Sequence, residues 1–143
     1  MTILVDTGVL YADHDRDAAR HEDASAALDT VYDGDFGQPY VSDYIYDEAV
    51  TLTLRRSTAF EPAKRLGEKL RGVDPYPKAY ELLRVSPAVF ADSVEIFERY
   101  DDQALSFTDA TTVALYRRHD LDAVLSFDDD FDGIVRRIDP ATT

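Results

Sequence analysis

The chain predicts an α/β fold, a single domain spanning 1–143 in which a parallel sheet of five strands is covered by helices on both faces. Three observations carry this. Short apolar runs such as Ile3-Leu4-Val5 do not alternate with polar residues, as expected of strands buried on both faces. Stretches of helical periodicity separate those runs, and most junctions carry a capping residue or a turn signal. Strands that alternate with helices are joined by crossovers, and crossovers make a sheet parallel.

Residues 2–6 form the first strand, and Thr7-Gly8-Val9-Leu10-Tyr11-Ala12 opens a helical pattern directly after it. From Asp17 to about Tyr32, Ala18, Ala19, Ala26, Ala27, Leu28 and Val31 outline an amphipathic helix, stopped by Asp33-Gly34-Asp35-Phe36-Gly37. Gln38 to Ser42 is the second strand. Ser42 or Asp43 caps a helix in which Ile45, Ala49 and Leu52 share a face, extending toward Arg56. A helix over Pro62 to Arg71 completes a helical hairpin, and Gly72 to Pro77 turns the chain into a third strand, Tyr80 to Val85. Ser86-Pro87 is a cap followed by proline at the first helical position, and that helix runs to about Tyr100. Ser106 caps the next, through His119. Ala123 to Ser126 is the fourth strand, Asp128 to Gly133 a turn of helix, and Ile134 to Ile138 the fifth strand.

Composition narrows the chemistry. There are no cysteines, which removes disulfides, zinc–thiolate sites, iron–sulfur clusters and cysteine nucleophiles. Any metal must therefore use oxygen or imidazole ligands. The apolar N-terminal run is too short for a signal peptide and no stretch is long enough to span a membrane, so a cytoplasmic location is expected. Acidic residues outnumber basic ones 29 to 15, with 22 aspartates and only three lysines. Acid excess with lysine depletion is a way to stay soluble in concentrated salt, and points to a halophilic source. The charge is dispersed among 16 aromatic residues rather than gathered in blocks, which argues against an acidic disordered tail.

Right-handed crossovers bring helix starts close to the carboxyl ends of the strands, the edge where open α/β sheets gather their sites. Four acids fall there. Asp6 closes the first strand and Asp128 follows the fourth. Asp109 lies in the first turn of the helix capped by Ser106, and Glu48 in the second turn of the helix after the second strand. A plainer reading exists for three of them: Asp6 and Asp128 could be helix caps, and Asp109 could favour the positive end of its helix dipole. Glu48 resists such a reading because Tyr44, Ile45 and Leu52 make its helical surroundings largely apolar. No lysine or histidine is placed to neutralise all four, so a convergent cluster calls for a hard divalent cation, Mg²⁺ or Mn²⁺, held by carboxylate and water oxygens. Arg55 lies seven residues after Glu48, two turns along the same face, which makes Arg55 and Arg56 candidate phosphate contacts, although a solvated helix end favourable to the dipole explains them better. His14, His21 and His119 sit in polar contexts and read as surface residues.

Four motifs in order carry a resemblance: Val5-Asp6-Thr7-Gly8-Val9-Leu10, Tyr46-Asp47-Glu48-Ala49, Leu105-Ser106-Phe107-Thr108-Asp109-Ala110 and Ser126-Phe127-Asp128-Asp129-Asp130-Phe131. Together they resemble the acidic motifs of PIN domains across nearly the whole chain. Ser126 stands where that family often has threonine, and the hydroxyl is retained. The resemblance implies a PIN-like sandwich and metal-dependent cleavage of single-stranded RNA, as in VapC-type toxins of toxin–antitoxin pairs. It implies Asp6, Glu48, Asp109 and Asp128 as the metal and catalytic positions, with Asp130 as a further acid. Thr7 and Thr108 are polar neighbours suited to orient substrate or metal-bound water, or to cap their helices. A VapB-like antitoxin and a homodimer are the partners it implies.

Rival enzymes with a strand-ending Asp fail on particular residues. A haloacid-dehalogenase-type phosphatase needs a second Asp where Gly8 stands, and a receiver domain needs a late lysine, whereas the last is Lys78. The non-enzymatic alternative is a PIN-like RNA-binding or assembly protein that no longer cleaves. Retention of all four acids argues against it.

Overall fold

In the computed structural model, which describes residues 1–143, five parallel strands form one sheet in the order β3-β2-β1-β4-β5. The strands are β1 (Thr2–Val5), β2 (Gln38–Ser42), β3 (Glu81–Leu83), β4 (Ala123–Leu125) and β5 (Arg137–Ile138). Six helices connect them: α1 (Thr7–His14), α2 (His21–Tyr32), α3 (Asp43–Ser57), α4 (Phe60–Arg71), α5 (Pro87–Arg99) and α6 (Phe107–Arg118). The chain builds outward from β1 to β3, then returns to lay β4 on the other side of β1. With right-handed connections this reversal moves α5 and α6 to the opposite face of the sheet.

Strand β1 is central because its residues suit no other place. Ile3, Leu4 and Val5 are wholly buried, paired with Ala123, Val124 and Leu125 of β4 on one side. On the other side Thr2, Ile3 and Leu4 pair with Gln38, Pro39 and Tyr40. The core continues through Val9, Leu10, Leu28, Ile45, Leu66, Leu115 and Phe131. Burying each such side chain stabilises the fold by about 1.5–3 kcal/mol before entropy is counted. Gly37, at φ +70°, lies so close to the carbonyl of Met1 that an added Cβ would stand 1.8 Å from that oxygen, so only glycine lets β2 start alongside β1.

The expected caps form. Ser42 Oγ accepts the Ile45 N–H at 3.0 Å and Ser86 Oγ accepts that of Val89 at 3.2 Å, with Pro87 opening α5. Some boundaries differ from the sequence reading. Helix α2 begins at His21 rather than Asp17, because the Asp15 carboxylate accepts the Asp17 N–H at 2.9 Å and holds residues 15–20 in turns. Helix α4 begins at Phe60, two residues before Pro62, whose missing N–H falls among first-turn groups that have no helical partner. Strand β3 contracts to Glu81–Leu83, and β5 contracts to Arg137–Ile138 after a turn through Gly133 at φ +83°. No helix is long and apolar enough to cross a membrane.

Candidate metal centre

The site is assembled at the carboxyl edge of β1 and β4. The Asp6 N–H donates to Leu125 O at 3.0 Å, which extends the β1–β4 pairing by one residue and pins Asp6 at the sheet edge. Asp6 precedes α1 but its side chain makes no capping bond; the carboxylate turns away and takes a 2.6 Å hydrogen bond from Ser126 Oγ. The same Ser126 oxygen accepts the Asp128 N–H at 3.0 Å, so one buried hydroxyl ties the end of β1 to the loop after β4.

Asp109 and Asp128 serve as caps as well. Asp109 forms a full capping box with Ser106: its Oδ2 accepts the Ser106 N–H and its own N–H donates to Ser106 Oγ, both at 3.0 Å. Asp128 Oδ1 accepts the Asp130 N–H at 2.9 Å, capping a short 3₁₀ turn at Asp129–Phe131. Glu48 projects from α3 half-buried and makes neither a hydrogen bond nor an ion pair.

All four carboxylates line one open pocket of about 740 Å³, with Thr7, Tyr11, Arg20, Leu52, Arg56 and Asp129 among its other walls. None of the ion pairs in the protein involves Asp6, Glu48, Asp109 or Asp128. The electrostatic consequence is large. Burial pushes the Asp6 carboxyl up to about 7, against the lowering effect of Ser126, and the negative charges of Asp109 and Glu48 add to the rise. Asp109 is raised to about 6, first by burial and then by Asp128 and Glu48, although Ser106 partly offsets this. Carboxyls that resist ionisation for want of a counter-charge fit a hard divalent cation, which would supply that charge and accept their oxygens.

Other predicted residues divide. Thr7 is 5% exposed and lines the pocket, and its Oγ1 has no hydrogen-bond partner, so the hydroxyl is free for a ligand. Thr108 lies outside the pocket wall, its carbonyl accepting the Thr111 hydroxyl at 2.6 Å. Asp130 is also outside the wall, though ligand atoms of Asp128, Asp129 and Asp130 come within 4.8 Å of one another. The charge of Asp128 raises the Asp130 carboxyl. Arg55 is exposed and lines no part of the pocket, whereas Arg56 does, its guanidinium 4.9 Å above the Tyr11 ring. Two charged wall residues carry no candidate role in the sequence. Asp129 is one. The other is Arg20, which stands in the turn before α2 with its guanidinium 4.7 Å from the centre of the Phe127 ring.

Fold and site define a class first: an open parallel α/β sheet whose acidic pocket sits where the strand order reverses around β1. Within that class the chain belongs to the PIN-domain family, whose model matches residues 3–136. Among solved structures it is similar to VapC20 of Mycobacterium tuberculosis, described as a sarcin–ricin-loop-cleaving toxin, at 24% identity over 90% of this chain and 92% of that one, with a TM-score of 0.76. It is also similar to VapBC2 of Rickettsia felis bound to a promoter DNA fragment, at 9% identity over 96% and 98% of the two chains, with a TM-score of 0.70. The third likeness is to FitAcB of Neisseria gonorrhoeae, at 20% identity over 96% and 97%, with a TM-score of 0.66. At these identities the likeness is one of fold. No curated protein matches the chain closely enough to count as a relative.

Proposed function

We propose that this protein is an endoribonuclease dependent on Mg²⁺ or Mn²⁺, that it cleaves single-stranded RNA, and that it is the toxin of a VapBC-type pair. The observation that carries the reading is four carboxylates lining one pocket, none of them ion-paired with a protein cation. Asp6, Glu48, Asp109 and Asp128 hold the metal, with Asp130 close enough to Asp128 to assist. A divalent ion held there would supply Lewis-acid chemistry, lowering the pKa of a water and offsetting charge on the leaving oxygen.

The chain's own groups do the rest. Ser126 fixes the orientation of Asp6 and the start of the Asp128 loop together, so the two ligands keep their spacing. Arg20 and Arg56, stacked on Phe127 and Tyr11, offer guanidiniums to the phosphates of a bound strand. The unpartnered Thr7 hydroxyl can donate to a phosphate oxygen or a water. Acid excess elsewhere opposes RNA binding, but at about 1 M salt the Debye length is roughly 3 Å, so only nearby arginines count.

A VapB-like antitoxin follows from the same reading, supported by a similar solved structure described as a toxin–antitoxin complex from Klebsiella pneumoniae, and a homodimeric state is part of the same proposal. The test is cleavage of a single-stranded oligoribonucleotide in high salt with Mg²⁺ or Mn²⁺. Cleavage should vanish in excess EDTA and in Asp6→Asn. Undiminished cleavage in chelator would rule the mechanism out, and no cleavage under any ion would favour a binding protein.

A further inference from the structure

Beside the carboxylate pocket lies a second open cleft of about 1020 Å³ between α1 and α4. The two share a boundary, because Tyr11 and Arg56 line both. The cleft inverts the charge balance of the protein. Arg16, Arg56, Arg65 and Lys69 face three aspartates there, in a chain where acids outnumber bases 29 to 15.

The acids of the cleft are also engaged, while most of its cations are not. Asp15 accepts the Tyr11 hydroxyl and the Asp17 N–H, and Asp13 accepts the Ser25 hydroxyl at 2.8 Å; only the Asp17 carboxylate lacks a donor. Arg16, Arg56 and Arg65 have no carboxylate partner. Lys69 is held by a neutral ring, donating to His14 Nδ1 at 3.2 Å while His14 Nε2 donates to Pro62 O at 2.8 Å, and its nearest carboxylate oxygen, on Asp13, is 3.9 Å away. Tyr11 and Pro62 are the main interruptions in an otherwise polar wall, which offers little to the apolar face of a peptide helix.

We propose that this cleft is a backbone subsite for the RNA strand flanking the scissile bond: Arg65 and Arg16 contact its phosphates, and Arg56 guides it across the Tyr11 ring from one pocket to the other. The proposal rests on the nuclease reading for the identity of the strand. Geometry supplies the rest. A strand whose scissile phosphate lies at the carboxylates must leave the pocket somewhere, and this exit is continuous, cationic and wide.

The experiment is fluorescence anisotropy with a fluorescein-labelled, mixed-sequence single-stranded RNA of 20 nucleotides, in EDTA and across a salt series. Arg65→Ala and Arg16→Ala should each weaken binding about threefold to tenfold and reduce the slope of log K against log salt by about 0.7, one released counterion on a single strand. Arg65→Lys should keep the slope. Arg99→Ala, an exposed arginine on α5 outside both pockets, should behave as wild type, and an unlabelled dinucleotide competitor, too short to reach the cleft, should bind wild type and Arg65→Ala equally. Unchanged affinity and slope in both alanine variants would overturn the subsite even where metal-dependent cleavage is intact. Polyglutamate displacing the RNA from wild type but not from Arg65→Ala would assign the cleft to an acidic protein segment, and would overturn it too. Cleavage that survives chelator would instead defeat the nuclease mechanism and leave this binding result standing by itself.

Discussion

Helix α1 has an aspartate at each end, and the two behave oppositely. Asp6 precedes its first turn and is raised to about 7; Asp15 follows its last turn and is held below the usual carboxylate range by the Tyr11 hydroxyl and the Asp17 N–H. The helix dipole would order them the other way, since the positive end favours ionised Asp6. That effect is worth about 0.3–1 kcal/mol at exposed ends, whereas each pKa unit is about 1.4 kcal/mol, so burial, reinforced by the charges of Asp109 and Glu48, decides. Asp15, near solvent and holding two donors, keeps its charge without help. Asp6, buried beside other acids with no cation paired to it, resists ionisation even though Ser126 donates to it.

The largest expected effect tests that distinction directly. Asp6→Asn, Glu48→Gln, Asp109→Asn and Asp128→Asn should each lower metal-dependent turnover by at least about a hundredfold, while Asp33→Asn, in an exposed turn after α2, should leave it within about twofold. Equal rates across the five variants, measured on one oligoribonucleotide, would erase the contrast.

Thermal melts sharpen it further. Mn²⁺ at about a hundred times its Kd should stabilise the folded protein by about 2.7 kcal/mol, and Asp6→Asn and Asp109→Asn should lose most of that gain. A full gain in both variants would place the ion elsewhere. Without metal and below about pH 6, Asp109→Ala should lower the melting temperature, because loss of the hydrogen bond from the Ser106 N–H is not offset there by relief of a buried ionised carboxylate.

Proton linkage separates the two ends of α1 by sign. The folded carboxyl of Asp6 binds its proton more tightly than an ordinary aspartate does, so its protonation favours folding below about pH 4, and this contribution is lost as pH rises through about 7. Asp109 acts the same way up to about 6. Asp15 does the reverse: its ionised form favours folding, and that contribution is lost as pH falls through its depressed value. In EDTA, Asp6→Asn should therefore flatten the loss of melting temperature between about pH 4 and pH 7, and Asp15→Asn should flatten the loss at acid pH. Parallel curves for wild type and Asp6→Asn would show that the buried carboxyl is not the source.

The smallest effect distinguishes neighbours. Arg56→Ala should raise KM for RNA several-fold through lost phosphate contact, and Arg55→Ala should not. Initial rates over a substrate series suffice to compare them.

Sequence reading went furthest where one local rule governed a residue. The apolar runs located β1 and β2, capping chemistry placed the starts of α3, α5 and α6, and the crossover rule sent Asp6, Glu48, Asp109 and Asp128 to one edge, where they do line one pocket. It fell short where contacts between distant segments intervened. Arg20 was hidden inside an expected helix, because nothing in the alanine-rich pattern announces that the Asp15 side chain will capture the Asp17 N–H and delay α2. Helical spacing alone could not choose between Arg55 and Arg56. The choice is made by Tyr11, brought alongside α3 by α1, which gives the second guanidinium a ring to rest on. For Asp109 and Asp128 capping does not compete with lining the pocket, since their caps form at its wall.

Those caps carry a last consequence, for ion selectivity. Asp6 has Oδ2 committed to Ser126, Asp109 has Oδ2 committed to Ser106, and Asp128 has Oδ1 committed to Asp130. Each aspartate thus has one oxygen already accepting a hydrogen bond, which would favour monodentate coordination through the other. Ca²⁺ favours six to eight oxygens and readily takes carboxylates two oxygens at a time, whereas the smaller Mg²⁺ is satisfied by octahedral geometry completed with water. If the pocket holds a metal as proposed, the hydrogen bonds that shape the backbone around it would also favour the smaller ion, by limiting how many oxygens each residue offers.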